Sequence, residues 1–273
     1  MVDLSRLTTE QRNPATMDLD QMSPLEIAAV MNQEDKKAVL AVQQVLPQVA
    51  TAIQWAADSL RQGGRLIYMG AGTSGRLGVL DAVECPPTFG SAPETVVGLI
   101  AGGDTALRNP VEHAEDDPQR GWQELLERNI SPLDTVIGIA ASGTTPYVIG
   151  GLRAARRHGL LTGSITCNPA SPVAAEAEYA LEAVVGPEFV TGSTRMKAGT
   201  AQKLMLNMLS TAVMIRLGRV EGNRMVNMQL TNDKLVARGT RMVAEASGLD
   251  ETEARKLLLR WGSVKRALEE IGK

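Results

Sequence analysis

Arg65-Leu-Ile-Tyr-Met69 runs straight into Gly70-Ala-Gly-Thr-Ser-Gly75, and a helical stretch follows to about Glu84. A short apolar run, a glycine-rich turn and a helix make the opening of a βα unit. The arrangement recurs downstream. Thr135-Val-Ile-Gly-Ile-Ala140 leads into Ala140-Ala-Ser-Gly-Thr-Thr-Pro146 and another helical stretch. Three further runs have strand length: Thr95 to Ala101, Leu161 to Thr166 and Ala180 to Val185. Most are apolar throughout rather than alternating, as strands covered on both faces are. With helices expected over roughly 74–84, 109–128, 146–158 and 171–177, the pattern predicts an α/β fold with a parallel sheet and right-handed crossovers.

The flanks are helical. Ser23-Pro24-Leu25-Glu26 carries a capping serine, a proline suited to the first turn and a glutamate suited to the positive end of the dipole. Apolar periodicity runs through Ile27, Val30 and Met31. It resumes from about Lys36 to Leu60, placing Val39, Val42, Leu46, Ala50, Ile53 and Ala57 on one face before Gly63-Gly64. The polar residues up to about Pro14 read as an arm. Thr194 to Leu217 reads as a long helix, apolar nearly all round from Leu204 to Ile215, which points to burial against the sheet or a second subunit.

Composition narrows the function. The 273 residues carry 28 Lys and Arg against 31 Asp and Glu, a net charge of −3, with no basic stripe to displace counterions from nucleic acid. Two Phe, three Tyr and three Trp are too few for base-stacking platforms. Cys85 and Cys167, the only cysteines, have no metal-ligand spacing, and His113 and His158 are the only histidines. No segment reads as a signal peptide or a membrane span, so the expectation is a cytoplasmic protein with neither nucleic-acid nor membrane partners.

Gly70 to Gly75 satisfies G-x-G-x-x-G, but a dinucleotide site also wants an acidic residue at the end of the following strand. Glu94 precedes that strand, and Asp104 lies beyond a Gly-Gly turn. Gly72, Thr73 and Ser74 in the first loop, and Ser142, Gly143, Thr144 and Thr145 in the second, instead suit an anion. Two such loops at the ends of neighbouring strands make a cradle of N–H groups, hydroxyls and helix dipoles for a phosphorylated small molecule. The plainer alternative is two capped helix starts.

Four stretches carry a family resemblance: Gly70-Ala-Gly-Thr-Ser-Gly-Arg-Leu77, Asp81-Ala-Val-Glu-Cys-Pro-Pro87, Ala140-Ala-Ser-Gly-Thr-Thr-Pro-Tyr147 and Val190-Thr-Gly-Ser-Thr-Arg-Met-Lys-Ala-Gly-Thr-Ala-Gln-Lys203. The chain resembles the N-acetylmuramic acid 6-phosphate etherases, a branch of the sugar isomerase (SIS) fold, nearly end to end. The resemblance implies a three-layer SIS fold divided as 1–54 (arm and helices), 55–218 (phosphosugar-binding domain) and 219–273 (C-terminal helices). It also implies a homodimer that removes D-lactate from a phosphosugar substrate without a metal or redox cofactor. Two departures stand out. Many relatives have Arg where this chain has Thr144, and the chain stops at Lys273 where relatives usually continue.

An alkyl ether is a poor target for hydrolysis, but opening the sugar ring acidifies the C2 proton and lets lactate leave C3 by elimination. That chemistry asks for a base and an acid, which two carboxylates supply. The resemblance matches Glu84 and Glu115 to them. Glu84 is expected at a helix end stopped by Cys85-Pro86-Pro87, where the dipole favours its protonated form, suiting it as the acid. Glu115 is expected on a helix begun by Asn109-Pro110, as the C2 base, with Asp116 next to it. Ser193 and Lys197, in the fourth matched stretch, are expected near substrate. The competing readings are a non-catalytic phosphosugar sensor, like the glucokinase regulatory proteins, and a phosphosugar isomerase on the same fold.

Overall fold

The computed structural model describes residues 7–272, so the first six residues of the expected arm lie outside the described residues. Five strands, β1 (Leu66–Gly70), β2 (Val96–Ile100), β3 (Thr135–Ile139), β4 (Leu161–Thr166) and β5 (Tyr179–Glu182), form one parallel sheet in the order β2-β1-β3-β4-β5. β1 and β3 are buried along their whole length, which is why their sequences do not alternate. The chain leaves β1 toward β2, then crosses back over β1 to reach β3. The order therefore reverses between β1 and β3, and in open α/β sheets that switch point is where ligands bind. Gly70 stands level with Ile139, so the loops after these two strands emerge side by side.

One face of the sheet is covered by α1 (Pro24–Gln44), α2 (Leu46–Arg61), α3 (Gly72–Phe89) and α8 (Lys197–Arg216). The other is covered by α5 (Arg120–Glu127), α6 (Pro146–Arg157) and α7 (Pro172–Ala175), with the single turn α4 (Thr105–Arg108) following β2. Past residue 220, α9 (Asp233–Ser247), α10 (Glu251–Trp261) and α11 (Val264–Glu270) close around a small core of their own that includes Val243, Ala254 and Leu258. That module joins the sheet domain at the C-terminal end of α3, where the Gln229 N–H donates to the Pro87 carbonyl at 3.2 Å.

Several local expectations need correction. The helix expected to resume at Lys36 is two helices with a break at Val45, and this changes the buried phase. Ala38, Val42, Val45, Val49 and Ala52 face the core, while Val39 and Leu46 are exposed. The expected division at 54/55 falls inside α2. Pro86 and Pro87 do not stop α3: their φ is helical, they remove only two N–H donors near the helix end, and the turn closes at left-handed Gly90. No helix starts at Asn109. That residue is extended, as the position before proline prefers, and turns run on to α5. The apolar helix around Leu204 to Ile215 is buried within its own chain, where Met205, Leu206, Leu209 and Val213 fill the space under α1, α2 and α3.

Candidate active site

The two hydroxyl loops open α3 and α6, and neither helix is capped by a side chain. The N-cap residues of α2, α4, α5 and α8 likewise make no side-chain cap bond, whereas those of α1, α7, α9, α10 and α11 do. The first intrahelical bond of α3 runs from the Gly75 N–H to the Ala71 carbonyl, so Gly72, Thr73 and Ser74 keep free N–H groups, without an acceptor among the described residues. Ser142 and Thr145 do likewise in the second loop. The carbonyls there are turned the other way and used. Ala140 accepts from Gly143 (3.0 Å), Ala141 from Cys167 (3.0 Å) and Gly143 from Val173 (2.9 Å). Gly143 makes this possible: its φ is +74°, and a Cβ there would meet Ser171 at 2.2 Å. Free backbone donors beside engaged acceptors leave both loops able to take an anion, and neither helix start is capped by a side chain as the plainer alternative expects.

The hydroxyls are not equivalent. Ser142 Oγ lies 2.9 Å from Thr144 Oγ1, half-buried beside the free amides. Thr73 is partly exposed and sits against the start of α8 at Gly199. Ser74 is buried and donates to Gln202 at 3.0 Å, so its hydroxyl is committed to packing α3 on α8, and its backbone N–H is what it can offer a ligand.

Glu115 reaches this cradle from a turn, not from a helix. Its carbonyl accepts from the Tyr147 N–H at 3.0 Å, which ties it to the first turn of α6. Its side chain lines a pocket of roughly 270 Å³ with Ala71, Gly72 and Arg76 from the first loop. The mouth is open to solvent, yet the pocket walls withdraw enough water to raise the carboxyl above its ordinary value, and the charge on Asp116 adds to the rise. Arg76, a pocket residue not singled out in the sequence, is steadied by Nε donating to the Leu107 carbonyl at 3.2 Å. Glu84 is elsewhere. It is exposed on α3, twelve residues beyond Gly72 (about 18 Å along the helix), so the two carboxylates do not meet within one chain.

Relatives match this chain almost end to end. N-acetylmuramic acid 6-phosphate etherase from Bacteroides fragilis is 62% identical over 252 residues, covering 92% of this chain and 90% of that protein. The protein of the same name from Porphyromonas gingivalis is 61% identical over 264 residues, 96% of each. The chain belongs to the N-acetylmuramic acid 6-phosphate etherase family. Its residues 109–212 match the SIS domain profile. Residues 48–156 match the N-terminal SIS domain of glucokinase regulatory protein, and 222–269 the C-terminal lid domain of that protein. Among solved structures, a phosphoheptose isomerase from Neisseria gonorrhoeae is similar with a TM-score of 0.53 at 16% identity, over 70% of this chain and 98% of that one. The NanR protein of Vibrio vulnificus, complexed with ManNAc-6P, aligns with a TM-score of 0.52 at 16% identity, over 74% of this chain and 66% of that one.

The fourth family stretch, Val190 to Lys203, places its two expected substrate neighbours differently. Ser193 is half-buried in the turns before α8. Lys197 is 1% exposed, and its Nζ is held at 2.6 Å by Glu34 of α1. Its side chain therefore faces the protein interior rather than a ligand, a correction to the expectation from the resemblance. The start of α8 is closed too, because buried Glu188 accepts from the N–H groups of Lys197 (3.0 Å) and Ala198 (2.9 Å). Burial of Glu34 alone would raise its pKa, but hydrogen bonds from Lys197, Lys37 and Asn13 outweigh that and hold it at about 2. Isolated polar residues at helical spacing gave no signal for the Lys197–Glu34 pair, whose members lie 163 positions apart in the chain. Among the described residues, no group of three or more His, Cys, Asp or Glu is placed to hold a metal ion, and no helix is long and apolar enough to cross a membrane.

Proposed function

We propose that this chain cleaves the lactyl ether of N-acetylmuramic acid 6-phosphate, giving D-lactate and N-acetylglucosamine 6-phosphate, in the recycling of cell-wall sugar in the cytoplasm. The observation that carries the proposal is the pair of uncapped helix starts at the sheet's switch point, with Glu115 beside them. The names of the relatives from Bacteroides fragilis and Porphyromonas gingivalis supply the substrate.

The 6-phosphate sits on the free N–H groups of Gly72, Thr73, Ser74, Ser142 and Thr145, with the hydroxyls of Thr73, Ser142, Thr144 and Thr145 around it. Thr144 adds a hydroxyl but no charge, so the cradle relies on amides and helix dipoles. With the ring open, Glu115 takes the C2 proton. The C3–O bond breaks, an acid protonates the departing lactyl oxygen, and the C2–C3 double bond forms in the aldehyde. Water then adds at C3 while C2 regains a proton, so atoms balance as ether plus water to alcohol plus lactate. A carboxyl with raised proton affinity is suited to this exchange, since it accepts a proton more readily than an ordinary carboxylate and can return it.

Glu84 serves as the acid from a second copy of the chain. Within one chain it lies at the far end of α3 from the cradle, beside exposed Leu80 (53%) and Val83 (58%), and α1 exposes Leu25, Val39 and Leu40. This apolar surface, rather than α8, supports a homodimer in which each α3 presents Glu84 to the other cradle. The test is to incubate the protein with N-acetylmuramic acid 6-phosphate and with the unphosphorylated sugar, and to assay D-lactate. Release from the phosphorylated sugar alone is the expected result. Binding without release would favour the phosphosugar-sensor reading, which the match to the glucokinase regulatory protein profiles keeps in view.

A further inference from the structure

A single buried side chain behind the second loop holds the carbonyls that must face away from a ligand. Asn168, two residues past β4, is 1% exposed and makes six polar contacts. Its Nδ2 donates to the carbonyls of Ala141 (3.3 Å) and Ser142 (3.2 Å) and to Thr9 Oγ1 (3.0 Å). Its Oδ1 accepts from the Thr8 N–H (2.7 Å), Thr8 Oγ1 (2.8 Å) and the Thr9 N–H (3.4 Å). The amide thus fastens the N-terminal arm to the back of the loop whose front carries the free N–H groups of Ser142 and Thr145.

The orientation of one peptide fixes both of its groups. Holding the Ala141 carbonyl backward turns the N–H of the same peptide, that of Ser142, forward, and holding the Ser142 carbonyl fixes the next peptide, whose Gly143 N–H closes the turn on Ala140. The Ala141 carbonyl is shared with the Cys167 N–H (3.0 Å), a backbone bond that no side-chain change removes, and within the loop the Thr144 N–H donates to Ser142 Oγ at 3.3 Å. Among the described residues Asn168 is the one side chain that grips two consecutive carbonyls there, and it is itself buried behind the loop.

We propose that Asn168 is a positioning residue for phosphosugar binding: it orients the amides of the second loop toward the 6-phosphate and makes the arm at Thr8-Thr9 part of that support. This rests on the reading of the two loops as the phosphate cradle. Its chemical signature is specific to the phosphate. Losing the donor should weaken ground-state and transition-state binding alike, raising KM while kcat stays in place, because C2 and C3 are remote from the anchor.

The test compares the full-length protein with Asn168→Asp, which keeps shape and the Thr8 acceptor but turns an acceptor toward both loop carbonyls. KM for N-acetylmuramic acid 6-phosphate and the inhibition constant of inorganic phosphate are measured below the melting temperature of every variant. Both should rise together, by about tenfold or more, with kcat changed less than about threefold. Should Asn168→Asp not fold, Asn168→Ser, uncharged and too short to reach the carbonyls, is expected to give the same paired rise. A lowered melting temperature with KM and phosphate inhibition both within about twofold of the parent would overturn the proposal, as would a fall confined to kcat. A parent that releases lactate without competition from phosphate would overturn the cradle itself, and the inference with it.

Discussion

Replacing Lys197 by methionine separates a structural role from a catalytic one. The lysine is buried, and its ammonium lies 2.6 Å from a Glu34 carboxylate that is itself 3% exposed. Removing one partner of a buried pair typically costs 3–5 kcal/mol, because the remaining charge is left uncompensated. The depression of Glu34 from 4.5 to about 2 gives a second route, about 3 kcal/mol at 1.4 per unit, shared among Lys197, Lys37 and Asn13. Lys197→Met should therefore lose roughly 3 kcal/mol, or about 6–12 °C in melting temperature for a chain of this size. A folded pKa below the ordinary one means stability that is full above about pH 4.5 and lost as pH falls through about 2. The variant has less of that stability to lose, so its deficit, read by urea denaturation at pH 7 and pH 3, should shrink in acid. Glu34→Gln in the same chain should restore part of it, since a neutral pair carries no stranded charge. A deficit under about 1 kcal/mol, with kcat/KM down about a hundredfold in a fully folded variant, would refute the reasoning and place the lysine on the substrate.

Thr73→Ala and Ser142→Ala should each raise KM about tenfold to a hundredfold, the scale of a charge-assisted hydrogen bond, whereas Ser74→Ala, whose hydroxyl serves Gln202, should register in urea denaturation more than in KM; equal kinetic effects from all three would contradict the assignment. Because burial first and Asp116 second raise the Glu115 carboxyl, the acid limb of the kcat/KM profile should lie above the usual carboxylate range, and Asp116→Asn should move it to lower pH; a limb that moves upward would contradict the cause. Glu115→Gln and Glu84→Gln should each lose at least about a hundredfold in lactate release. Mixing the two inactive variants under subunit exchange should recover about a quarter of the parental activity if each cradle takes its acid from the other copy, and none if both carboxylates belong to one chain's site. Sedimentation of the parent as a 29.1 kDa monomer with full activity would end the dimer reading.

Much of the sheet was legible because fully buried parallel strands are unbroken apolar runs. Four of the five were placed within about one residue, and the run expected to Val185 overshot the end of β5 at Glu182 by three. The hydroxyl loops were legible for a related reason, as glycine and small polar residues mark places where backbone must face a ligand. What stayed hidden was geometry that depends on distant partners. Glu115 sits in a turn because Asn109 is extended before Pro110 and Asp117 accepts from Gln119, local details that a helical reading of acidic residues passes over. Glu84 looked adjacent to the chemistry through its motif, yet α3 carries it away from the loop that the same motif opens. Lys197, Glu34, Glu188 and Asn168 look like ordinary surface residues in sequence and become interior only when α1, α8 and the arm close over one another.

The elimination route is tested most directly by one labelling measurement. N-acetylmuramic acid 6-phosphate is turned over by the parent protein in deuterium oxide, and the N-acetylglucosamine 6-phosphate product is read by proton NMR at C2. If Glu115 removes and the site returns a proton there, the product should carry deuterium at C2, and Glu115→Gln should neither exchange that position nor release lactate. Lactate release with C2 still fully protonated would mean that the ether is cleaved without passing through the unsaturated aldehyde, and would contradict the assignment of Glu115 as the base.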